Sequence, residues 1–137
     1  MGTITFIDTS VFVAILTQEA DWLEWSERIA AGSRCLTSPA VRLETSIVVA
    51  TRLLISLKEA ERQYDRLLEE SDIGEIALDS QIGGVAVACF ERFGKGRHPA
   101  RLNFADCLSY ACARAHGATL LFKGDDFSKT DINDQTS

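Results

Sequence analysis

The sequence predicts an α/β domain built on a mainly parallel sheet. Short β-rich runs alternate with longer segments of helical pattern along the chain, an order typical of parallel strands joined by helices. A length of 137 residues suits one domain with a buried core. The hydrophobic fraction of 46% and the charged fraction of 25% are ordinary for a globular protein. We therefore predict one domain over 1–137, with the last few residues as a flexible tail.

The first predicted strand covers Ile4 to Asp8, where β-branched and aromatic residues dominate. The helix that follows begins near Ser10, and either Thr9 or Ser10 has a hydroxyl suited to capping it. A second helix is predicted to open at Asp21, with Glu24 at the spacing of a capping box. Together these elements form the first strand–helix unit of the domain.

The second predicted strand is Cys35 to Ser38, and Pro39 suits the first turn of the long helix after it. Ser56 and Glu59 form a capping-box pattern that opens the next helix. The third predicted strand is Glu75–Asp79. These elements repeat the alternation of strand and helix.

A helix that two glycines weaken follows the third strand, and a loop leads from it to Asn103. Asn103 is predicted to cap a helix that ends at Gly117. The fourth predicted strand is Thr119 to Phe122. Four strands separated by helices complete the predicted sheet.

Charge, cysteine content and hydropathy exclude several classes of protein. A net charge of −6 argues against coating nucleic acid through positive charge, although it permits an acidic enzyme that cuts nucleic acid. None of the four cysteines forms a C-x-x-C pair, which favours buried free thiols in a reducing cytoplasm over disulfides or zinc. No apolar run reaches the ~20 residues needed to span a bilayer.

Acidic residues follow the first and the last predicted strand. Functional groups in parallel sheets lie just past the carboxyl ends of the strands. That rule points to Asp8, and to Asp125 and Asp126 after the fourth strand. Each acid also has an ordinary structural explanation, since Asp8 is suited to a helix cap and the other two to a turn with a cap for a short helix over 127–131.

Glu44 is predicted to lie on the apolar side of its helix, close to Val41, Ile47 and Val48. A lone buried carboxylate is costly, so Glu44 requires a cation, a proton or a salt-bridge partner. The polar side of the same helix is predicted to run through Arg42, Thr45, Ser46 and Arg52.

Asp106 lies three residues after Asn103, in the first turn of its helix. The helix dipole favours an anion there by ~0.3–1 kcal/mol, and a capping box is the simplest explanation for this acid alone. Four converging carboxylates would repel one another strongly without a cation. Several carboxylate ligands suit Mg²⁺ or Mn²⁺ better than zinc.

Four segments together resemble the PIN-domain ribonucleases of the VapC type, which are toxins of type II toxin–antitoxin systems. The segments, which span nearly the whole chain, are FIDTSVFVAIL, VRLETSIV, GKGRHPARLNFADCLSYACA and LLFKGDDFSKTDI. The resemblance implies a three-layer α/β sandwich with a short central parallel sheet. It implies a cytoplasmic Mg²⁺-dependent endoribonuclease, with Mn²⁺ as a substitute, that leaves 5′-phosphate and 3′-hydroxyl ends. It also implies a homodimer inhibited by a cognate VapB-like antitoxin.

The resemblance assigns roles to individual residues. The catalytic acids are Asp8, Glu44, Asp106 and Asp126, of which Asp8 and Asp106 are the most direct metal ligands. Asp125 is a neighbour that assists, and the choice between it and Asp126 stays open. The polar groups that support the metal site or orient the substrate are Thr9, Ser10 and Asn103.

A basic loop precedes the Asp106 helix. It contains Arg97 and Arg101, which we predict to bind RNA phosphates, while a merely solvated loop is the alternative. The homodimer and antitoxin interfaces could use large apolar side chains that core packing explains equally well, namely Trp22, Trp25, Leu53, Leu54 and Phe90.

Two other functions fit parts of the sequence. A phosphatase of the haloacid dehalogenase type also has an aspartate after its first strand, but Ser10 stands where its D-x-D motif needs a second acid. A non-catalytic interaction module with the same fold is the second alternative. Glu44 and Asp106 argue against that module, because acids in apolar settings have no evident purpose without a metal.

Overall fold

A four-stranded parallel sheet forms the centre of the molecule, in a computed structural model that describes residues 3–32 and 34–132. The strand order is β3-β2-β1-β4, so the first strand of the chain is an inner strand and the last pairs beside it. The strands are β1 (Ile4–Ile7), β2 (Arg34–Thr37), β3 (Ile73–Glu75) and β4 (Thr119–Leu121).

Helices cover the sheet and give the predicted three-layer α/β architecture, which is confirmed. Contacts between helices join α1 to α2 and α3, α3 to α4 and α6, and α5 to α6. The helices are α1 (Thr9–Leu16), α2 (Trp22–Ala31), α3 (Pro39–Leu53), α4 (Leu57–Glu70), α5 (Ser80–Phe93) and α6 (Phe104–Ala115).

The core lies between the sheet and these helices. Phe6 of β1 and Phe12 of α1 are fully buried, and Phe12 meets the ring of Tyr64 edge-to-face with the centroids 5.1 Å apart. All four cysteines are buried and free, as predicted. In the described part of the chain, no helix is long and apolar enough to cross a membrane.

The helices α1 and α2 begin where predicted to within one residue, but their predicted side-chain caps are wrong. Asp8, and neither Thr9 nor Ser10, caps α1, since its carboxylate accepts a hydrogen bond from the Ser10 N–H. Asp21 precedes α2 without a side-chain cap, because its carboxylate accepts hydrogen bonds from the Trp25 indole and the Lys123 ammonium. Asp21 therefore joins the start of α2 to a segment that lies 102 positions later in the sequence.

The third strand lies earlier than the predicted range Glu75–Asp79. β3 pairs with β2 from Cys35–Ile73 to Thr37–Glu75, and the ladder ends with one further bond from the Ile76 N–H to the Thr37 carbonyl. β2 offers no partner beyond that point, so the alternating residues that follow leave the sheet. Asp79 instead caps α5 by accepting a hydrogen bond from the Ile82 N–H.

The predicted faces of α3 are partly wrong. Thr45 and Ser46 are buried and Ile47 is 48% exposed, the reverse of the predicted pattern. Arg42 does point outward, where it forms ion pairs with acids of α4 and β3, namely Glu61, Asp65 and Glu75.

The apolar residues suggested for interfaces divide between the core and the surface. Trp25 is 6% exposed and belongs to the core, whereas Leu54 is 90% exposed. Trp22, Leu53 and Phe90 lie between these extremes. The predicted short helix over 127–131 is a series of turns, and the predicted tail falls on 133–137, outside the described residues.

The order of the strands determines where a site can form. β1 lies between β2, which follows it in sequence, and β4, which comes last. Such a reversal in strand order opens a crevice at the carboxyl ends of the strands. The hydrogen bond from the Asp8 N–H to the Leu121 carbonyl, 3.0 Å long, keeps β1 and β4 together up to that edge.

Candidate active site

An acidic cavity of about 350 Å³ lies at the carboxyl edge of β1 and β4. It brings together residues that are separated by more than one hundred positions in the sequence. The carboxylates that line it are Asp8, Glu19, Glu44, Asp106 and Asp126. All four acids that the resemblance assigned to catalysis are therefore in one cavity.

Asp8 is the most deeply buried of these acids, at 6% exposure. Its Oδ2 accepts a hydrogen bond from the Ser10 N–H at 3.1 Å and one from the Ser10 hydroxyl at 2.7 Å. Burial raises the pKa of Asp8, which these bonds and the Ser109 hydroxyl partly offset, and the charge of Asp126 raises it further. Asp8 therefore caps α1 and contributes to the acidic cavity at once.

Asp106 both helps to cap α6 and lines the cavity. It forms a capping box with Asn103, in which the Asn103 N–H donates to Asp106 Oδ2 at 3.1 Å and the Asp106 N–H donates to Asn103 Oδ1 at 2.9 Å. Burial raises the pKa of Asp106 to about 7, against the effect of the Asn103 bond, and the charges of Asp126, Asp8 and Glu44 add to the rise. The capping box thus fixes this carboxylate beside the others.

Glu44 extends from α3 into the same cavity, in a half-buried position. Burial raises the pKa of Glu44, and the charges of Asp8 and Asp126 raise it further, while the nearby Thr9 hydroxyl lowers it. Among the described residues, the buried Thr9 hydroxyl has no hydrogen-bond partner of ordinary geometry. It is a buried polar atom at the cavity wall that is available for a ligand or water.

Asp126 and Asp125 differ in their surroundings, which separates the two adjacent candidates. Asp126 lines the cavity, whereas Asp125 does not. The chain turns between β4 and these acids at Gly124, whose φ of +103° lies in a region that other residues rarely adopt. Asp126 is exposed, so it lies at the cavity mouth, while Asp8 and Asp106 lie deeper.

Several residues of the site were missed in the sequence. Ser109 reaches Asp8 from α6, and its spacing of three residues from Asp106 would have placed both on one helix face. Glu19, Arg52 and Lys123 also line the cavity. No spacing rule identifies these three, because they come from the turn between α1 and α2, the last turn of α3 and the loop after β4.

The basic loop is not part of this cavity. Arg97 and Arg101 border a separate surface depression of 95–101, and the Arg97 guanidinium lies over the Phe90 ring at 5.8 Å from its centroid. Asn103, which lies two residues beyond Arg101, does line the acidic cavity. The loop therefore leads up to the site without entering it.

The residues present fit a hydrated Mg²⁺ ion. In the described part of the chain, no three Asp, Glu, His or Cys side chains are close enough to hold a metal ion between them as they stand. Mg²⁺ commonly uses only one or two carboxylates and keeps several waters, so a cage of three is not required. The buried carboxylates of raised pKa, together with the unpartnered Thr9 hydroxyl, make an oxygen-only setting that a cation would stabilise.

The raised pKa values predict an unusual pH dependence of stability. Asp106 titrates near 3.8 when unfolded and near 7 when folded, so between these values the folded protein binds more protons than the unfolded chain. The free energy of unfolding of the metal-free protein should therefore fall as pH rises from about 5 to 8. Groups of lowered pKa, such as Glu19 and Asp131, affect the free energy of unfolding only at lower pH. There they make it rise, rather than fall, as pH increases.

Thermal melts in EDTA at pH 5 and pH 8 would measure this effect, and Mg²⁺ should restore stability at pH 8. The variant Asp106→Asn serves as the control, because its stability should fall much less than that of wild type between pH 5 and pH 8. A metal-free protein that is equally stable at both pH values would contradict the raised pKa of the buried cavity acids.

Comparison with known proteins identifies the family. The chain matches the family model for the PIN domain over residues 5–133. It is 38% identical to a VapC ribonuclease of Rhizobium meliloti over 141 residues, covering 93% of this chain and 99% of that protein. It is 42% identical to the Ribonuclease VapC of Mycolicibacterium smegmatis over 127 residues, covering 92% and 95% of the two chains.

Solved structures agree on the fold. VapC20 from Mycobacterium tuberculosis, described as a Sarcin-Ricin loop cleaving toxin, superposes with a TM-score of 0.72 over 90% of this chain and 92% of that one, at 21% identity. A toxin–antitoxin complex from Klebsiella pneumoniae gives a TM-score of 0.68 over 93% of both chains, at 17% identity. Given the family match and the identity to curated relatives over nearly the whole length, the chain belongs to the PIN-domain family, among the VapC ribonucleases.

Proposed function

We propose that this protein is a Mg²⁺-dependent endoribonuclease toxin that hydrolyses RNA phosphodiester bonds at the acidic cavity. One observation carries the proposal: Asp8, Glu44 and Asp106 converge in a single cavity, and burial raises the pKa of each. Such clustering is costly to a fold and is typical of functional sites. Membership of the VapC ribonucleases supplies the reaction and argues against the phosphatase alternative.

Asp8 and Asp106 would hold the cation, with Mn²⁺ as a substitute. Both are buried, and each is fixed by hydrogen bonds to its own helix start. When bound, Mg²⁺ supplies positive charge to the phosphoryl group and lowers the pKa of water. The fixed positions of the two carboxylates mean that little reorganisation is needed when substrate arrives.

The remaining polar groups would orient the reactants. Glu44, whose pKa burial raises, would accept the proton that the attacking water loses. Asp126 would complete the mouth of the cavity, with Asp125 as a neighbour outside it. The hydroxyl of Thr9 would contact water or substrate, while Ser10 and Asn103 hold the two metal-binding carboxylates in place.

The partners are also part of the proposal. A cognate VapB-like antitoxin would inhibit the toxin, in line with the neighbouring structures, one of which is VapBC2 from Rickettsia felis bound to promoter DNA. A homodimer and a cytoplasmic location complete the assignment. RNA phosphates would approach along the loop that contains Arg97 and Arg101, which are exposed and adjacent to the α6 helix.

Purified protein incubated with small structured RNAs, with Mg²⁺ or with EDTA, tests the proposal. We expect cleavage only with Mg²⁺, and fragments that carry 5′-phosphates. The variant Asp8→Asn keeps an oxygen that can accept the Ser10 bonds but lacks the charge, so it should fold and fail to cleave. Identical products from wild type and Asp8→Asn would refute the nuclease assignment and favour a non-catalytic module.

A further inference from the structure

Two cations face the acidic cavity, and the function proposed above leaves them without a role. Of the described residues that line it, only Arg52 and Lys123 are cationic. Arg52 lies in the last turn of α3, and Lys123 follows β4 by two residues. They therefore approach the cavity from two elements that are far apart in the sequence.

The carboxylate of Glu19 holds the two cations side by side. Arg52 Nη1 donates a hydrogen bond to Glu19 Oε2 at 2.7 Å, and the Lys123 ammonium donates to the other oxygen, Oε1. The Lys123 ammonium also donates to Asp21 Oδ1 at 2.8 Å. Because both side chains are already ordered, a ligand that binds them loses little of their conformational entropy.

Lys123 is fixed through its backbone as well. Its N–H donates to the Ser10 hydroxyl oxygen at 2.8 Å, and that hydroxyl donates to Asp8 Oδ2 at 2.7 Å. The ammonium therefore belongs to a segment whose position relative to Asp8 is set by two successive hydrogen bonds. A ligand held by Lys123 would therefore have a defined position relative to Asp8, which we assign to the metal.

Both cations keep donors for a further anion. A guanidinium has five N–H donors and an ammonium has three, and the contacts to Glu19 and Asp21 use one and two of these. The Arg52 side chain is 53% exposed and the Lys123 side chain 33% exposed. An incoming anion can thus bind both cations while Glu19 remains in place.

We propose that Arg52 and Lys123 bind the RNA phosphate that adjoins the cleaved one, an inference that rests on the proposed function. A strand that enters this cavity meets carboxylates at the cleavage point, which repel its phosphates unless a cation intervenes. The only cationic side chains on the described cavity wall are this pair, so the next phosphate along the strand is stabilised there. Phosphate contacts of this kind fix the register of a strand without reading its bases.

Binding of a fluorescent single-stranded RNA, followed by anisotropy in EDTA at several salt concentrations, tests the pair without cleavage. The logarithm of the affinity falls as the logarithm of the salt concentration rises, and each phosphate contact that is lost should make this slope about 0.7 less steep. We expect Arg52→Gln to weaken binding about three- to tenfold and to reduce the steepness of the slope by part of that amount, because Lys123 still contacts the same phosphate. Arg52→Lys should recover most of the affinity, and adding Lys123→Gln to Arg52→Gln should bring the total reduction to about 0.7, the value for one phosphate.

Arg62→Gln is the matched control. Arg62 is also an exposed arginine paired with a glutamate, Glu59, but it does not line the cavity. It should leave affinity and slope at wild-type values. In cleavage assays with Mg²⁺, Arg52→Gln should raise KM more than it lowers kcat.

The outcomes separate this inference from the proposed function. A wild-type protein that fails to cleave any RNA with Mg²⁺ contradicts the proposed function. A wild-type protein that cleaves, together with an Arg52→Gln variant of unchanged salt slope and KM, overturns the phosphate site alone. An equal loss in Arg62→Gln would also overturn it, since the effect would then reflect overall charge.

Discussion

Replacing Asp106 with asparagine is expected to reduce RNA cleavage roughly 10³-fold, the scale on which a catalytic acid or base or a preorganised electrostatic group contributes. The amide retains an oxygen that can accept the Asn103 N–H, so the capping box at the start of α6 should persist. Only the negative charge is lost, and that charge is what a cation in the cavity requires. Single-turnover cleavage of an RNA substrate with saturating Mg²⁺ measures the effect.

The same variant should be at least as stable as wild type when no metal is present. Burial and neighbouring acids raise the pKa of Asp106 to about 7, so at pH 8 the wild type holds a charge that its surroundings disfavour. Removing it relieves this cost, and Mg²⁺ should then raise the melting temperature less than it does in wild type. A variant that unfolds at a much lower temperature would instead identify Asp106 as chiefly structural.

Asp126→Asn and Asp125→Asn should differ sharply, although the two residues are adjacent. We expect Asp126→Asn to reduce cleavage about 10- to 100-fold, because Asp126 lines the cavity and its charge acts on Asp8, Glu44 and Asp106. Asp125→Asn should stay within about twofold of wild type, as is usual for exposed positions without a specific contact. Cleavage rates under identical Mg²⁺ concentrations compare the two directly.

This pair is its own control, since both variants make the same chemical change one residue apart. Calorimetric titration with Mg²⁺ adds a second measurement, in which only Asp126→Asn should weaken binding. Equal losses in both variants would show that general acidity at the mouth matters more than position. A loss confined to Asp125→Asn would reverse the assignment.

The order of the strands and helices was predictable because several helices have a local start signal. Ser56 and Asn103 cap helices through their side chains, as predicted. Ends of strands were less predictable, since they depend on the partner strand. β3 ends at Glu75 because its partner strand β2 ends at Thr37. No local pattern in 75–79 contains that information.

Much of the candidate site was predictable from the position of acids at strand and helix ends. Asp8 and Asp126 follow β1 and β4, and strand order places those strands side by side. The reasoning for Glu44 was less sound, because Thr45 and Ser46, which were assigned to the solvent face, are buried. Glu44 nevertheless lines the cavity, on a helix that also buries these two hydroxyls.

The cationic side of the cavity could not be predicted. Arg52 and Lys123 occupy a helix end and a loop, where basic residues are common and usually solvated. Their relation to the site depends on Glu19, which lies 33 positions before Arg52 and 104 positions before Lys123. Only the three-dimensional structure brings the three together.

The pairing of the first strand with the last has a consequence for the newly made chain. Asp8 emerges from the ribosome first, but β4 must pair with β1 before Lys123 can meet Ser10 and before Asp126 can face Asp8. A nascent chain that ends anywhere before residue 126 therefore lacks part of the cavity. The acidic cavity is therefore assembled only after the segment up to Asp126 has been translated.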